Sequence, residues 1–187
     1  KYLDKLLRKV ISNSNVNLSF NEASLINNKI KFAKKGGHLR YNEIAPFINC
    51  ISSSISIFAV IRDPFSIIKS IYEYNLRKGK FPYFTNKIPT LNEFVFARCS
   101  DTLINDQTSF LIDNTGNYPK NLFILRYEYL QKDFTKYISK VFPEKSQKTK
   151  LLYLNEGYRS NMDFSEASKK LIMDRFQRDF YLIQTLL

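Results

Sequence analysis

The run Ile55–Ile61 and the Arg62-Asp63-Pro64 triplet that ends it constrain the fold more than any other part of the sequence. The run is rich in β-branched residues, which suits a buried strand of a parallel sheet. At Asp63 the strand stops and a helix begins. Asp63 fits the N-cap, and Pro64 fits the first helical position, where its missing N–H costs nothing. The helix is expected to run to about Arg77, with Ile67, Ile68, Ile71 and Tyr74 facing inward. An arginine thus stands at the carboxyl end of a strand, where open α/β sheets bind their ligands.

The rest of the chain alternates in the same way. Tyr2, Leu3, Leu6, Leu7 and Val10 recur at helical spacing, so residues 1–12 read as an amphipathic helix. Residues 29–34 alternate apolar and charged, as in a short strand. Gly36-Gly37-His38 forms a tight loop, and a short helix is expected over Asn42–Phe47. Residues Gly79 to Pro89 make a basic, aromatic loop. Thr90-Leu91-Asn92-Glu93 then opens a helix with a capping-box pattern. Asp106–Ile112 reads as helical, Leu122–Leu125 as a buried strand, Leu130–Val141 as a helix, and 164–185 as one long amphipathic helix. Strands alternating with helices indicate an α/β domain with a parallel sheet flanked by helices.

With 187 residues and 44% apolar content, the chain suits one domain over residues 1–187, and no linker or internal repeat divides it. Its longest apolar run falls far short of the ~20 residues a membrane span needs. The first residue is Lys1, which leads us to expect further chain upstream. The net charge of +12 invites a nucleic-acid reading. However, the positive residues are scattered over several expected elements, and Lys, Asn, Ile, Phe and Tyr all have A/T-rich codons. A solvated basic surface, or attraction of an anionic ligand, explains the charge without nucleic acid. Cys50 and Cys99 lack CxxC spacing and share the chain with a single histidine, so no zinc site is expected. They read as free thiols, with a disulfide left open.

The chemistry concentrates in Phe58–Tyr72. Ser70 follows Arg62 by eight residues, two turns into the helix, so that a guanidinium fork and a hydroxyl could converge on one phosphate. The plain alternative is a strand-to-helix corner held by an internal Arg62–Asp63 pair. This segment closely resembles the 3′-phosphate-binding motif of sulfotransferases, in which an Arg at a strand end is followed eight positions on by a Ser. The resemblance implies that Arg62 and Ser70 grip the 3′-phosphate of 3′-phosphoadenosine 5′-phosphosulfate. Gly36–Ile44 looks like the Gly-His segment of carbohydrate sulfotransferases related to heparan sulfate uronyl 2-O-sulfotransferase, which implies that His38 is the general base. An imidazole suits that task because its pKa lies near neutrality. A loop histidine without a chemical role is the alternative, and Glu43 is a substitute base or orienting partner. Phe123–Phe134 resembles the family's Arg-Tyr-Glu-x-Leu-x-x-Asp-Phe segment, where Leu125 and Phe134 should be core and Arg126, Glu128 or Asp133 should pair internally. The resemblance spans roughly residues 29–181 by pattern.

One departure stands out. The family's strand and Lys-containing phosphosulfate loop have no counterpart here, and residues 1–12 look like the helix that should follow them. Lys34-Lys35-Gly36-Gly37 does not replace the loop. The expected fold is therefore a P-loop-NTPase-like sulfotransferase fold lacking its first strand and phosphosulfate loop, and the chain as given should be catalytically poor. The resemblance implies sulfuryl transfer to an acceptor hydroxyl, with no metal and with a sugar or acidic glycan as the fitting acceptor. Arg77, Lys78 and Lys80 are candidates for meeting that acceptor. Arg159 and Ser160, after a turn at Gly157, are further candidates for the nucleotide. Two rival readings are another nucleotide-dependent transferase, such as a small kinase, and a basic nucleic-acid-binding domain without catalysis. The composition leans toward a microbial cytoplasmic protein, whereas animal relatives of the family work in the Golgi lumen behind an N-terminal anchor.

Overall fold

A computed structural model describes residues 40–48, 57–85, 87–101, 105–143, 151 and 162–186. The sequence readings over residues 1–12 and 29–34 lie outside them, as does Cys50. Two compact units divide the chain, one of residues 1–57 with 109–122 and one of 58–108 with 123–187.

In the first unit, helix α1 spans Tyr41–Ile48. Tyr41 and Ala45, one helical turn apart, are buried. Asn42 Nδ2 donates to Asn114 Oδ1 at 3.1 Å, and the Arg40 guanidinium lies 5.5 Å from the centre of the Phe110 ring. Burial and the nearby Asp113 carboxylate push the Tyr41 phenol above its usual pKa. The expected helix over Asp106–Ile112 shrinks to one 3₁₀ turn, Thr108–Phe110. Beyond it the chain turns back on itself, with Asp113 Oδ1 accepting from the N–H groups of Thr115 and Asn117.

The second unit carries the main core and nearly all of a two-stranded parallel sheet, β1 (Ile57–Ile61) beside β2 (Leu122–Arg126). The architecture is α/β, as the alternation of the sequence implies. Helix α2 (Pro64–Lys78) starts where expected: Asp63 Oδ2 accepts from Ser66 N at 2.8 Å, and Pro64 takes the first turn. It ends at Gly79, whose φ of 62° lies in the left-handed region that glycine enters at little cost. Helix α3 (Leu91–Ser100) carries the anticipated capping box between Thr90 and Glu93. After β2 and a 3₁₀ turn (Tyr127–Tyr129), α4 occupies Leu130–Val141. The long C-terminal helix of the sequence reading is instead two helices, α5 (Glu166–Arg175) and α6 (Gln177–Gln184). They break at Phe176, whose φ of −111° and ψ of 29° are not helical.

Ile68 and Tyr72 of α2, Leu91, Phe94 and Val95 of α3, and Ile172 and Phe176 form one buried cluster with Phe81. Tyr72, Phe81 and Phe94 sit as a triangle of rings with centroids 5.5, 5.6 and 5.9 Å apart. The Tyr72 hydroxyl donates to the Pro89 carbonyl at 2.8 Å, so its one polar group is satisfied where it is buried. Between α3 and α5, Asn92 Oδ1 accepts from Ser165 N and from the buried Ser168 hydroxyl.

Two packing expectations need correction. Tyr74 was expected to face inward but is 53% exposed, because the buried stripe runs through Ile68 and Tyr72 and places position 74 on the opposite face. Nor is β1 buried on both faces: Ile61 is 2% exposed, but Phe58 and Val60 are 52% and 46% exposed. With β2 as its sheet neighbour among the described residues, β1 alternates between a packed and an open face. In β2, likewise, Leu125 alone is fully buried. Deleting the fully buried Phe94 ring by Phe94→Ala is expected to lower stability by about 3–5 kcal/mol, read as a shift in the urea midpoint.

Candidate functional site

Arg62 follows the last residue of β1, and a side chain fixes its main chain. Arg62 N donates to Gln107 Oε1 at 2.9 Å, and Arg62 O accepts from Gln107 Nε2 at 2.7 Å. The primary amide thus does what a neighbouring strand would do, satisfying both backbone groups just past the point where β1 ends. Gln107 is held in turn by Asp179 of α6, whose Oδ2 accepts from Gln107 N at 2.9 Å and from Nε2 at 3.3 Å. The other oxygen, Oδ1, accepts from Thr108 N at 2.8 Å and from its hydroxyl at 2.7 Å. Asp179 is only 2% exposed, so a buried carboxylate is satisfied by four donors rather than by a cation.

The side chain of Arg62 is placed differently. Its guanidinium carbon lies 4.3 Å from the centre of the Tyr127 ring, within cation–π range. Its Nε is buried and has no hydrogen-bond partner among the described residues. The nearby carboxylates are turned elsewhere: Asp63 Oδ2 caps α2, and Glu128 Oε1 accepts from Asp63 N at 3.2 Å. The internal Arg62–Asp63 pair that a plain corner would contain does not form.

Arg126, at the end of the neighbouring strand, makes the comparison clear. Its Nε and Nη2 donate to the two oxygens of Asp133 at 2.8 and 2.9 Å, a bidentate pair, while its guanidinium lies 4.7 Å from the Tyr129 ring centre. Asp133 also accepts from Arg126 N at 2.9 Å. The internal pairing expected within Phe123–Phe134 is therefore Arg126 with Asp133. One of the two strand-end arginines is saturated by protein, and the other is not.

The other candidates distribute as follows. Ser70 is half-buried in the second turn of α2, on the same stripe as Ser66, roughly 9 Å of helix rise beyond Pro64. Arg77, Lys78 and Lys80 are exposed at the opposite end of α2, roughly 20 Å from its start. There Lys78 Nζ sits 5.8 Å from the Tyr74 ring centre, and an open groove of about 800 Å³ is lined by Tyr74, Lys78, Lys80, Phe81 and Phe84. Glu43 Oε2 accepts from Arg40 N at 3.0 Å, giving this carboxylate a place at the start of α1. His38, Arg159 and Ser160 lie outside the described residues. Cys99 carries a half-buried thiol whose pKa is pushed up by burial. Among the described residues no group of three His, Cys, Asp or Glu stands where it could hold a metal ion, and no helix is long and apolar enough to cross a membrane.

Gln107, Tyr127 and Asp179 were not among the sequence candidates. Tyr127 lies inside the segment that resembles the family's Arg-Tyr-Glu pattern, and Asp179 falls on the buried stripe of Ile172 and Phe176, where an acid needs a partner.

The Arg126 hydrogen bond, ahead of the charge attraction, holds the Asp133 carboxyl below its ordinary pKa of 3.8. A depressed carboxylate stabilises the fold fully above that ordinary value and loses its contribution as pH falls through the lowered one. In a carbon-detected NMR titration, Asp133 should therefore titrate below its ordinary value, and Arg126→Gln should return it toward that value. Compared with protein-family models, curated proteins and solved structures, the chain matches none.

Proposed function

We propose that this chain is the greater part of a sulfotransferase domain which, together with the family's phosphosulfate loop, transfers a sulfuryl group from 3′-phosphoadenosine 5′-phosphosulfate to a hydroxyl of a carbohydrate acceptor. The observation that supports it most is the state of Arg62. A guanidinium stands at the carboxyl end of a parallel strand, its backbone pinned by Gln107, its face against Tyr127 and its buried Nε without an acceptor among the described residues. A buried N–H left without a partner is costly, and a bound anion would relieve that cost with a charge-assisted bond. The choice of anion comes from the sequence, where the Arg62…Ser70 spacing resembles the 3′-phosphate grip of sulfotransferases.

In this reading Arg62 and Ser70 anchor the donor's 3′-phosphate, and Arg159 and Ser160 add to the nucleotide contacts. His38, with Glu43 as its alternative, accepts the acceptor's hydroxyl proton as the new sulfur–oxygen bond forms. The bond from sulfur to the bridging phosphate oxygen breaks, and adenosine 3′,5′-bisphosphate leaves. The protein's contribution to such chemistry is positioning and charge stabilisation. Lys78 and Lys80 flank an aromatic-lined groove, which suits an extended acidic glycan, with Arg77 beside it. The fold that goes with this reading is the P-loop-NTPase-like sulfotransferase fold.

Calorimetric titration with adenosine 3′,5′-bisphosphate, with AMP and ADP as controls, tests the donor site. Selective binding of the 3′-phosphorylated nucleotide is expected, and Arg62→Ala should weaken it by about 2–4 kcal/mol. Unchanged affinity in that variant would remove the reading. In a protein that carries the family's phosphosulfate loop ahead of this chain, His38→Ala should lower turnover by about 10²–10⁴ while donor binding persists. Undiminished turnover would reassign the base to Glu43.

A further inference from the structure

We infer that Tyr127 is a positioning residue for the anion site: its ring holds the Arg62 guanidinium in one plane, so that the in-plane N–H groups meet a bound phosphate already oriented. This rests on the reading of Arg62 as the anion anchor. Tyr127 opens the turn after β2, and that turn is tied down on both sides. Arg126 N donates to Asp133 just before it, and Glu128 Oε1 accepts from Asp63 N just after it, beside Arg62 itself. The turn that carries the ring is therefore held at the strand corner by main-chain N–H groups bonded to the carboxylates of Asp133 and Glu128. A ring 4.3 Å from the guanidinium carbon attracts the cation through its π face and covers it on that side. It cannot accept the in-plane Nε–H, which stays buried without a partner.

The neighbouring strand shows what such an arrangement does when an anion is present. Arg126 also lies over a tyrosine, Tyr129, at 4.7 Å, and its edge grips both oxygens of Asp133. The pair Arg62–Tyr127 repeats that arrangement at the next strand end but has no carboxylate on its edge among the described residues. A long arginine side chain loses rotamer freedom when it clamps a ligand, and a ring that has already fixed it removes part of that loss from the binding step.

The test compares Tyr127→Phe and Tyr127→Leu with the parent chain, alone and combined with Arg62→Ala. One readout is calorimetric affinity for adenosine 3′,5′-bisphosphate, and the other is the Nε–H resonance of Arg62 without ligand. Tyr127→Leu should weaken binding about 3- to 30-fold and remove the ring-current shift of the Arg62 Nε–H, while Tyr127→Phe should stay within about twofold of the parent. In the Arg62→Ala background Tyr127→Leu should change nothing further, which a merely structural role would not produce. Parental affinity and an unmoved resonance in Tyr127→Leu would overturn the inference and leave the donor site standing, provided Arg62→Ala still weakens binding. If Arg62→Ala has no effect, the donor reading falls instead, and the ligand-free resonance alone decides whether the ring holds the guanidinium. Tyr127 is 44% exposed, so both variants are expected to fold, which the urea midpoint checks.

Discussion

The buried carboxylate of Asp179 is the interaction on which the geometry at the strand end depends. Burying an ionised acid is tolerable only when its lone pairs are occupied, and four donors from Gln107 and Thr108 occupy them. Those bonds leave Gln107 one orientation, and its amide then closes both backbone groups of Arg62. The chain of causes runs from α6, through one side-chain amide, to the main chain of Arg62. A hydrophobic side chain at position 179 would pack as well but would leave the amide free to turn.

The two strand-end arginines show how the same residue type can be saturated by its surroundings or left with an open edge. Both lie over tyrosine rings. Arg126 has a carboxylate seven residues on, reached by the first turn of α4, and becomes part of the scaffold. Arg62 has Asp63 beside it, but that carboxylate caps α2. Capping and pairing compete for one acid, and at this corner capping wins, so the guanidinium has a tyrosine ring and no carboxylate as its partner among the described residues.

Much of the fold was legible because it rests on local chemistry. Asp63-Pro64 announces the start of α2, Gly79 its end, and Thr90 with Glu93 the start of α3, each through a hydrogen bond or a φ value that few residues can supply. The break at Phe176 was not legible, since neither glycine nor proline marks it and the apolar spacing continues across it. The inward direction of Tyr74 was misread because an aromatic residue on a helix suggests burial, whereas the stripe through Ile68 and Tyr72 excludes it. At the candidate site, Arg62 and Ser70 stood out by spacing within one segment. Gln107, Tyr127 and Asp179 act on Arg62 from other segments, and no local pattern can reveal a partner brought in by tertiary folding.

The amide that closes the corner at Arg62 lies 45 residues away in the sequence, and its own anchor lies 72 residues beyond that. Contacts of such separation carry a large loop-closure cost and form late, after local helices and the aromatic cluster have reduced the search. The corner therefore acquires its final shape only once α6 has docked. During synthesis, α2 and its cap can form soon after they emerge, but the main chain of the arginine at their head is not closed until α6 has been made as well. The conformation of this corner thus reports on the docking of a helix more than a hundred residues away.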